Sequence, residues 1–243
     1  MLDAASLPVT TQAFPGEGAV ELYHMRYEQV MPNGLSGVLE QRVFQIRDRD
    51  TAAMFVPDDL WYDSSRNRFQ LLQAQVLRGG QVLNGADRGD WRTNASGNQP
   101  RRVELPELRA SDRINIVYLL LPDSGPKWSL LDGHFLGNLF AFRDDYPTLQ
   151  TRYIVAAPSP VAFSQVGLAA PRMGRDMVGD ATWEWRAEDQ PAFFSQNNGQ
   201  ARTDASPFVQ VSGFDSWAEM ATWYSGLLAQ RARMRPSFER TLL

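Results

Sequence analysis

Cysteine is absent from the 243 residues. That absence removes thiol catalysis, cysteine–zinc sites and disulfide frameworks together, and leaves the redox compartment open. Histidine is nearly absent as well: His24 and His134 are too few for a histidine-rich metal centre, so no metal or other cofactor is expected. Lysine occurs once, at Lys127, among 24 basic residues, an arginine bias that reads as codon usage rather than as a phosphate-binding surface. With 28 acidic residues the net charge is −4, which gives no footprint for nucleic acid. No run reaches the roughly 18 apolar residues of a membrane span. The opening MLDAASLPVTTQAFPGEG has no charged region followed by an apolar core, so the chain reads as soluble and without a visible address. Walker loops, dinucleotide glycine motifs, a G-x-S-x-G elbow and 20–50-residue repeats are missing too.

What is present reads mainly as strands. Residues 1–18 form a loose lead-in. Residues 19–31 and 39–46 alternate apolar and polar side chains around Pro32-Asn33-Gly34, a hairpin signature because Asn-Gly supplies the positive φ angles of a tight connection. A short apolar patch at 52–55 suggests one helical turn. Residues 68–78 and 81–84 flank Gly79-Gly80 as a second hairpin, with Leu72, Ala74 and Val76 expected on one face. The stretch 85–100 is turn chemistry and reads as a long exposed loop. The run at 114–121 is continuous enough to be covered on both faces, and 152–156, 161–166 and 182–185 continue the strand series. Short strands separated by Gly, Pro and Asp turns imply a mainly β fold, a β-sandwich of two packed antiparallel sheets.

The chain's strongest helical signal comes last. Ser216 followed by Glu219 forms a capping box, and Trp217, Met220, Tyr224, Leu227 and Leu228 recur at three- and four-residue spacing beside Trp223. That stripe is expected to pack on the sandwich, giving a domain plan of lead-in 1–18, sandwich 19–213 and C-terminal helix 214–234.

Few residues suggest chemistry. His24 alternates within a strand and His134 follows a turn, so both read as structural or surface positions. Asp144-Asp145 and Glu188-Asp189 read as solvated turn acids rather than as a hydrolytic pair about 5–9 Å apart. Trp183 and Trp185 share one face of a strand; together with the loop residue Trp91 they offer a stacking platform for a sugar ring, although packing between sheets is the commoner use of such a pair.

Four stretches carry a family resemblance: PGEGAVELYHMRYEQVMPNG, WYDSSRNRFQLLQAQVLRGGQVLNG, TWEWRAEDQPAF and, most specifically, FVQVSGFDSWAEMATWYSGLL. They resemble a bacterial domain of unknown function found N-terminal to transglutaminase-like modules, which have the papain-type cysteine enzyme fold. Two runs depart from that pattern, Ser111-Asp112-Arg113-Ile114-Asn115-Ile116 and Ser195-Gln196, where the family commonly carries acids. The resemblance implies a β-rich accessory domain of envelope-associated proteins. Its expected partner is a downstream cysteine-enzyme module of the same polypeptide, with a peptide, glycan or protein as a further partner. It also implies that this chain is part of a longer protein and carries no activity of its own.

Overall fold

The structure, a computed structural model, describes residues 1–8, 13–55, 60–63, 67–90, 98–122, 133–135, 137–193, 204 and 206–233. The first hairpin forms as its sequence dictates: β1 (Ala19–Val30) and β2 (Ser36–Ile46) pair antiparallel, with Gly34 at φ 82° in the connection. A helical turn, α1 (Arg49–Met54), follows, capped by Asp48, whose carboxylate accepts from the Thr51 N–H. Next come β3 (Leu60–Asp63), β4 (Asn67–Arg78) and β5 (Gln81–Asn84), the last two forming the second hairpin.

The stretch expected to be a loop instead contributes β6 (Ala86–Asp90) and the start of β7 (Asn98–Glu104), while residues 91–97 lie outside the described ones. Their backbones pair with one another, and pairing of that kind needs no apolar alternation to signal it. Then follow β8 (Arg113–Pro122), β9 (Asn138–Ala141), β10 (Thr148–Ala157), β11 (Ala162–Val166), β12 (Arg172–Arg175), β13 (Ala181–Gln190), β14 (Phe208–Ser212) and the helix α2 (Trp217–Arg233).

The fold is mainly β, but its layout departs from two antiparallel sheets in two respects. The described strands make one eight-stranded sheet, ordered β12-β13-β10-β1-β2-β8-β4-β5, with two separate three-stranded sheets, β11-β14-β9 and β3-β7-β6. At the centre of the large sheet β1 and β10 run parallel. A parallel pair needs a long crossover, and residues 31–147, nearly half of the chain, lie between these two strands.

One face of the large sheet carries two apolar clusters. The first gathers Phe44, Ile46, Val76, Ile114 and Ile116 with Tyr62 and Val103 of the β3-β7-β6 sheet. The second gathers Tyr153, Val155, Trp183 and Trp185 with Phe140, Val209 and Val211 of the β11-β14-β9 sheet. The opposite face buries Val20, Leu22, Met25 and Val43 under the N-terminal segment. The first residues of the lead-in are tied to the sheet. Ala4 is buried, the Gln41 side-chain amide both donates to and accepts from the Leu2 backbone, and Arg113 donates to the carbonyls of Ala4 and Ala5. A side-chain amide can imitate a strand partner in this way, which no periodicity in residues 1–18 announces.

The second hairpin holds one further surprise. A bulge between Leu71 and Gln73 shifts the register, so Ala74 and Val76 are buried as expected while Leu72 is turned outward and 40% exposed. An extra residue in one strand reverses the facing of what precedes it.

Candidate functional site

Between the two apolar clusters lies a polar seam built from alternate residues of the first hairpin. Glu21, His24, Arg26 and Glu28 project from β1 and Glu40 and Arg42 from β2, all toward the face that the small sheets cover. Simple alternation would put Glu21 and His24 on opposite faces. The bulge between Glu21 and Tyr23 brings them to the same one. Arg26 stands directly opposite Glu40, and His24 opposite Arg42, so opposite charges meet in cross-strand and diagonal contacts.

The contacts are close. His24 Nε2 lies 2.9 Å from Glu40 Oε1, and Arg26 Nη1 donates to Glu40 Oε2 at 3.1 Å. Arg42 donates through Nε to Glu21 Oε1 at 2.7 Å and through Nη2 to Asp144 Oδ2 at 3.1 Å. Thr148 Oγ1 donates to the second oxygen of Glu21 at 3.0 Å. Glu28 accepts from Tyr153 Oη at 2.8 Å, Asn138 Nδ2 at 2.9 Å and Ser36 Oγ at 2.7 Å, so one carboxylate ties β1 to β2, β9 and β10. The Phe140 ring meets the His24 ring edge-on at 5.6 Å and closes the seam from the smaller sheet.

Burial decides the electrostatics. Glu21 is fully buried and Glu28 and Glu40 nearly so; at Glu40 burial alone would raise the affinity for a proton. At Glu40 burial is outweighed by the hydrogen bond and charge of His24 and by the charges of Arg26 and Arg42, which together hold it down to about 2. Arg42 is raised well above the ordinary guanidinium range, because Glu21 and Asp144 overcome the cost of its burial. Burial beside Glu28 and Glu40 pushes the Tyr153 and Tyr118 phenols upward, keeping both as donors.

A pH dependence follows. The carboxyl of Glu40 binds its proton less readily folded than unfolded, so it adds stability that is present above its ordinary value of 4.5 and is lost as pH falls toward about 2. Urea midpoints measured from neutral pH downward should drop through that window. A Glu40→Gln variant, less stable at neutral pH, should drop less; parallel curves for the two proteins would exclude this role.

The seam joins charges to one another rather than aiming them at a surface. Among the described residues no group of His, Asp and Glu is arranged to hold a metal ion. Arg26 Nε and Thr151 Oγ1 are the two buried polar atoms of the seam without a hydrogen-bond partner among the described residues. The sequence signal for the seam was present in the charged alternation of β1 and β2, but such a pattern normally marks a solvent face.

The residues singled out from the sequence fall elsewhere. Trp183 and Trp185 are 5% and 1% exposed, so the proposed sugar platform is withdrawn for both: stacking needs an open ring face, and theirs lie between sheets. Trp185 is also fixed by its indole N–H, which donates to Gln165 Oε1 at 2.7 Å. Trp91 lies outside the described residues. Ser216 caps α2, its hydroxyl accepting from the Glu219 N–H at 3.2 Å, while the Glu219 carboxylate reaches back one residue further than expected, to the Asp215 N–H at 2.7 Å.

The helix itself does not bury the expected stripe. Trp217, Tyr224 and Leu228 are 80%, 56% and 52% exposed. The half-buried positions are Met220, Trp223 and Leu227, and Trp223 packs on Phe214, which in turn stacks on His134 at 4.7 Å. At about 100° per residue, 217, 224 and 228 form one line and 220, 223 and 227 another, roughly a quarter-turn apart. Among the described residues, Trp223 of the second line makes ring contacts with Phe214 and His134 of the domain. No helix of the described residues is long and apolar enough to cross a membrane.

Comparison with known proteins comes to the same architecture. A family described as a domain of unknown function of solved structure, DUF3857, matches residues 32–194. The crystal structure of a putative protease from Parabacteroides distasonis ATCC 8503 is similar at 12% identity with a TM-score of 0.66, over 81% of this chain and 40% of that one. An M1 zinc metallopeptidase from Deinococcus radiodurans is matched at 14% identity over 82% of this chain and 44% of that one, but its TM-score of 0.40 carries no argument. No curated protein matches the sequence. The first of these structures shares the fold with this chain, which spans about 40% of its length.

Proposed function

The chain belongs to the DUF3857 family, and on that premise we propose that it is a non-catalytic accessory domain that positions a transglutaminase-like module following it in a longer polypeptide. The observation that carries the reading is the outward line of α2. A helix fixed to its domain through Trp223 holds on an adjoining face a tryptophan, tyrosine and leucine that are exposed among the described residues, the composition of a docking surface rather than of a solvated one. The proportions agree with it, since the similar putative protease is more than twice as long as the part this chain matches. The seam also supports it, because its carboxylates are engaged by Arg, Tyr, Thr, Ser and Asn donors instead of facing a cleft.

The docked module is the occupant of that face, and a quenching experiment tests it. Iodide quenching of Trp217, isolated as the difference between the parent protein and a Trp217→Phe variant, should be strong in this chain and largely lost in the longer polypeptide. The purified chain alone should neither cross-link nor hydrolyse peptides. Equal quenching in both proteins, or turnover by this chain, would overturn the proposal.

A further inference from the structure

The face of the large sheet that lies away from the seam is only partly covered. Along it Tyr23, Met25 and Tyr27 follow one another on β1 at two-residue spacing, and Leu39 of β2 and Ile154 of β10 stand on either side of Tyr27. Tyr23 and Met25 are buried, whereas Tyr27, Leu39 and Ile154 are half-buried. Leu2 roofs the row and is held there by the Gln41 amide. Between roof and strands lies a slot of about 340 Å³. From Tyr23 to Tyr27 the strand covers about 13 Å, which sets the length of the slot.

One end of it is basic. Arg152 stands opposite Met25 and donates through Nη1 to the Tyr23 hydroxyl at 3.3 Å and through Nε to Glu184. Glu184 does not belong to Arg152 alone. The same Oε1 also accepts from Arg186 Nε at 2.7 Å, so two guanidiniums share one carboxylate and the group keeps a positive charge. Donors are left over. Arg152 Nη2 has no hydrogen bond among the described residues, and the Tyr23 hydroxyl, already accepting from Arg152, has no acceptor there for its own proton. Tyr23 is 2% exposed, and a buried donor without an acceptor carries a desolvation cost that a ligand oxygen would relieve. The far end has the opposite sign, because the Tyr27 hydroxyl lies 3.3 Å from Asp176 Oδ2.

We propose that this slot binds a small aliphatic carboxylic acid, its carboxylate on Arg152 and the Tyr23 hydroxyl and its tail along Met25, Leu39 and Ile154 beneath Leu2. A guanidinium and a neighbouring hydroxyl offer donors to both oxygens of a carboxylate. Asp176 at the other end fixes the direction in which the acid lies. The volume is near the lower end of the usual range for binding sites, about 300–1,000 Å³, which selects a small molecule over a polymer. The slot shares no residue with α2, so the inference is independent of the docking assigned to that helix.

Isothermal titration calorimetry of this chain with decanoate, decanol and decylamine, each kept below the concentration at which it aggregates, tests the proposal. Decanoate should bind at least about tenfold tighter than decanol, and decylamine no tighter than decanol. Arg152→Gln should weaken decanoate about tenfold and leave decanol unchanged, while Ile154→Trp, which fills the slot, should abolish the binding of both. Should Arg152→Gln fail to fold, Tyr23→Phe keeps the ring, removes the hydroxyl and should weaken decanoate alone. The proposal is overturned if decanoate does not bind or binds no tighter than decanol, if the loss of the Arg152 or Tyr23 donor leaves its affinity unchanged, or if that affinity survives Ile154→Trp.

Discussion

Replacing Arg42 with alanine is expected to destabilise the domain by about 3–5 kcal/mol, enough to threaten folding at ambient temperature. The guanidinium is almost entirely buried and holds both Glu21, which is fully buried, and Asp144. Without it, the buried Glu21 carboxyl is left, among the described residues, with the Thr148 hydroxyl as donor and His24 Nδ1 at 3.9 Å, and the penalty is that poorly compensated buried group rather than the value of the ion pair itself. The distinction can be measured. An Arg42→Met, Glu21→Gln double variant removes both charges at similar volume and should recover most of the loss, because well-packed neutral replacements of buried ion pairs are often close to neutral. Urea unfolding of the two single variants and the double one supplies the cycle. A double variant as unstable as the sum of its parts would show that Arg42 acts mainly by packing on Phe44, over whose ring its guanidinium lies at 4.9 Å.

The second large effect belongs to Trp185. Truncation to alanine should cost about 3–5 kcal/mol, the usual range for a buried aromatic, and lower the thermal midpoint by about 6–20 °C for a domain of this size. Trp185 joins two layers: it stands on β13 in the large sheet, stacks on Tyr153 at 5.8 Å, meets Phe163 of β11 edge-on at 5.3 Å and bonds Gln165 of the same strand. Trp185→Phe should fall between the parent and the alanine variant, since it keeps most of the packing but leaves Gln165 Oε1 without its indole donor. Differential scanning calorimetry of the three proteins checks the order. Losses within about 1 kcal/mol for Trp185→Ala would mean that the small sheet is not held through this ring.

These two residues also measure how far the sequence could be read. Trp185 was visible as half of a strand-borne tryptophan pair, yet two uses of such a pair, between sheets or under a sugar, have the same spacing. Arg42 was visible only as the polar half of an alternating strand. Whether that half faces water depends on what is laid over it, here Phe140 and its sheet, and nothing within residues 39–46 records that.

Local chemistry determined what local chemistry can. The Asn-Gly and Gly-Gly connections required hairpins, the apolar run of β8 required cover on both faces, and Ser216 with Glu219 required a helix to start where it does. Tertiary structure alone decided the division of the described strands into three sheets, the parallel pairing of β1 with β10, the inward turn of the charged hairpin face, and the exposure of Trp217, Tyr224 and Leu228. The physical reason is range. Turn geometry and capping are settled within a few residues, whereas the facing of a strand or helix is settled by partners distant in the chain and can be reset by one bulged residue, as at Glu21/Tyr23 and Leu71/Gln73.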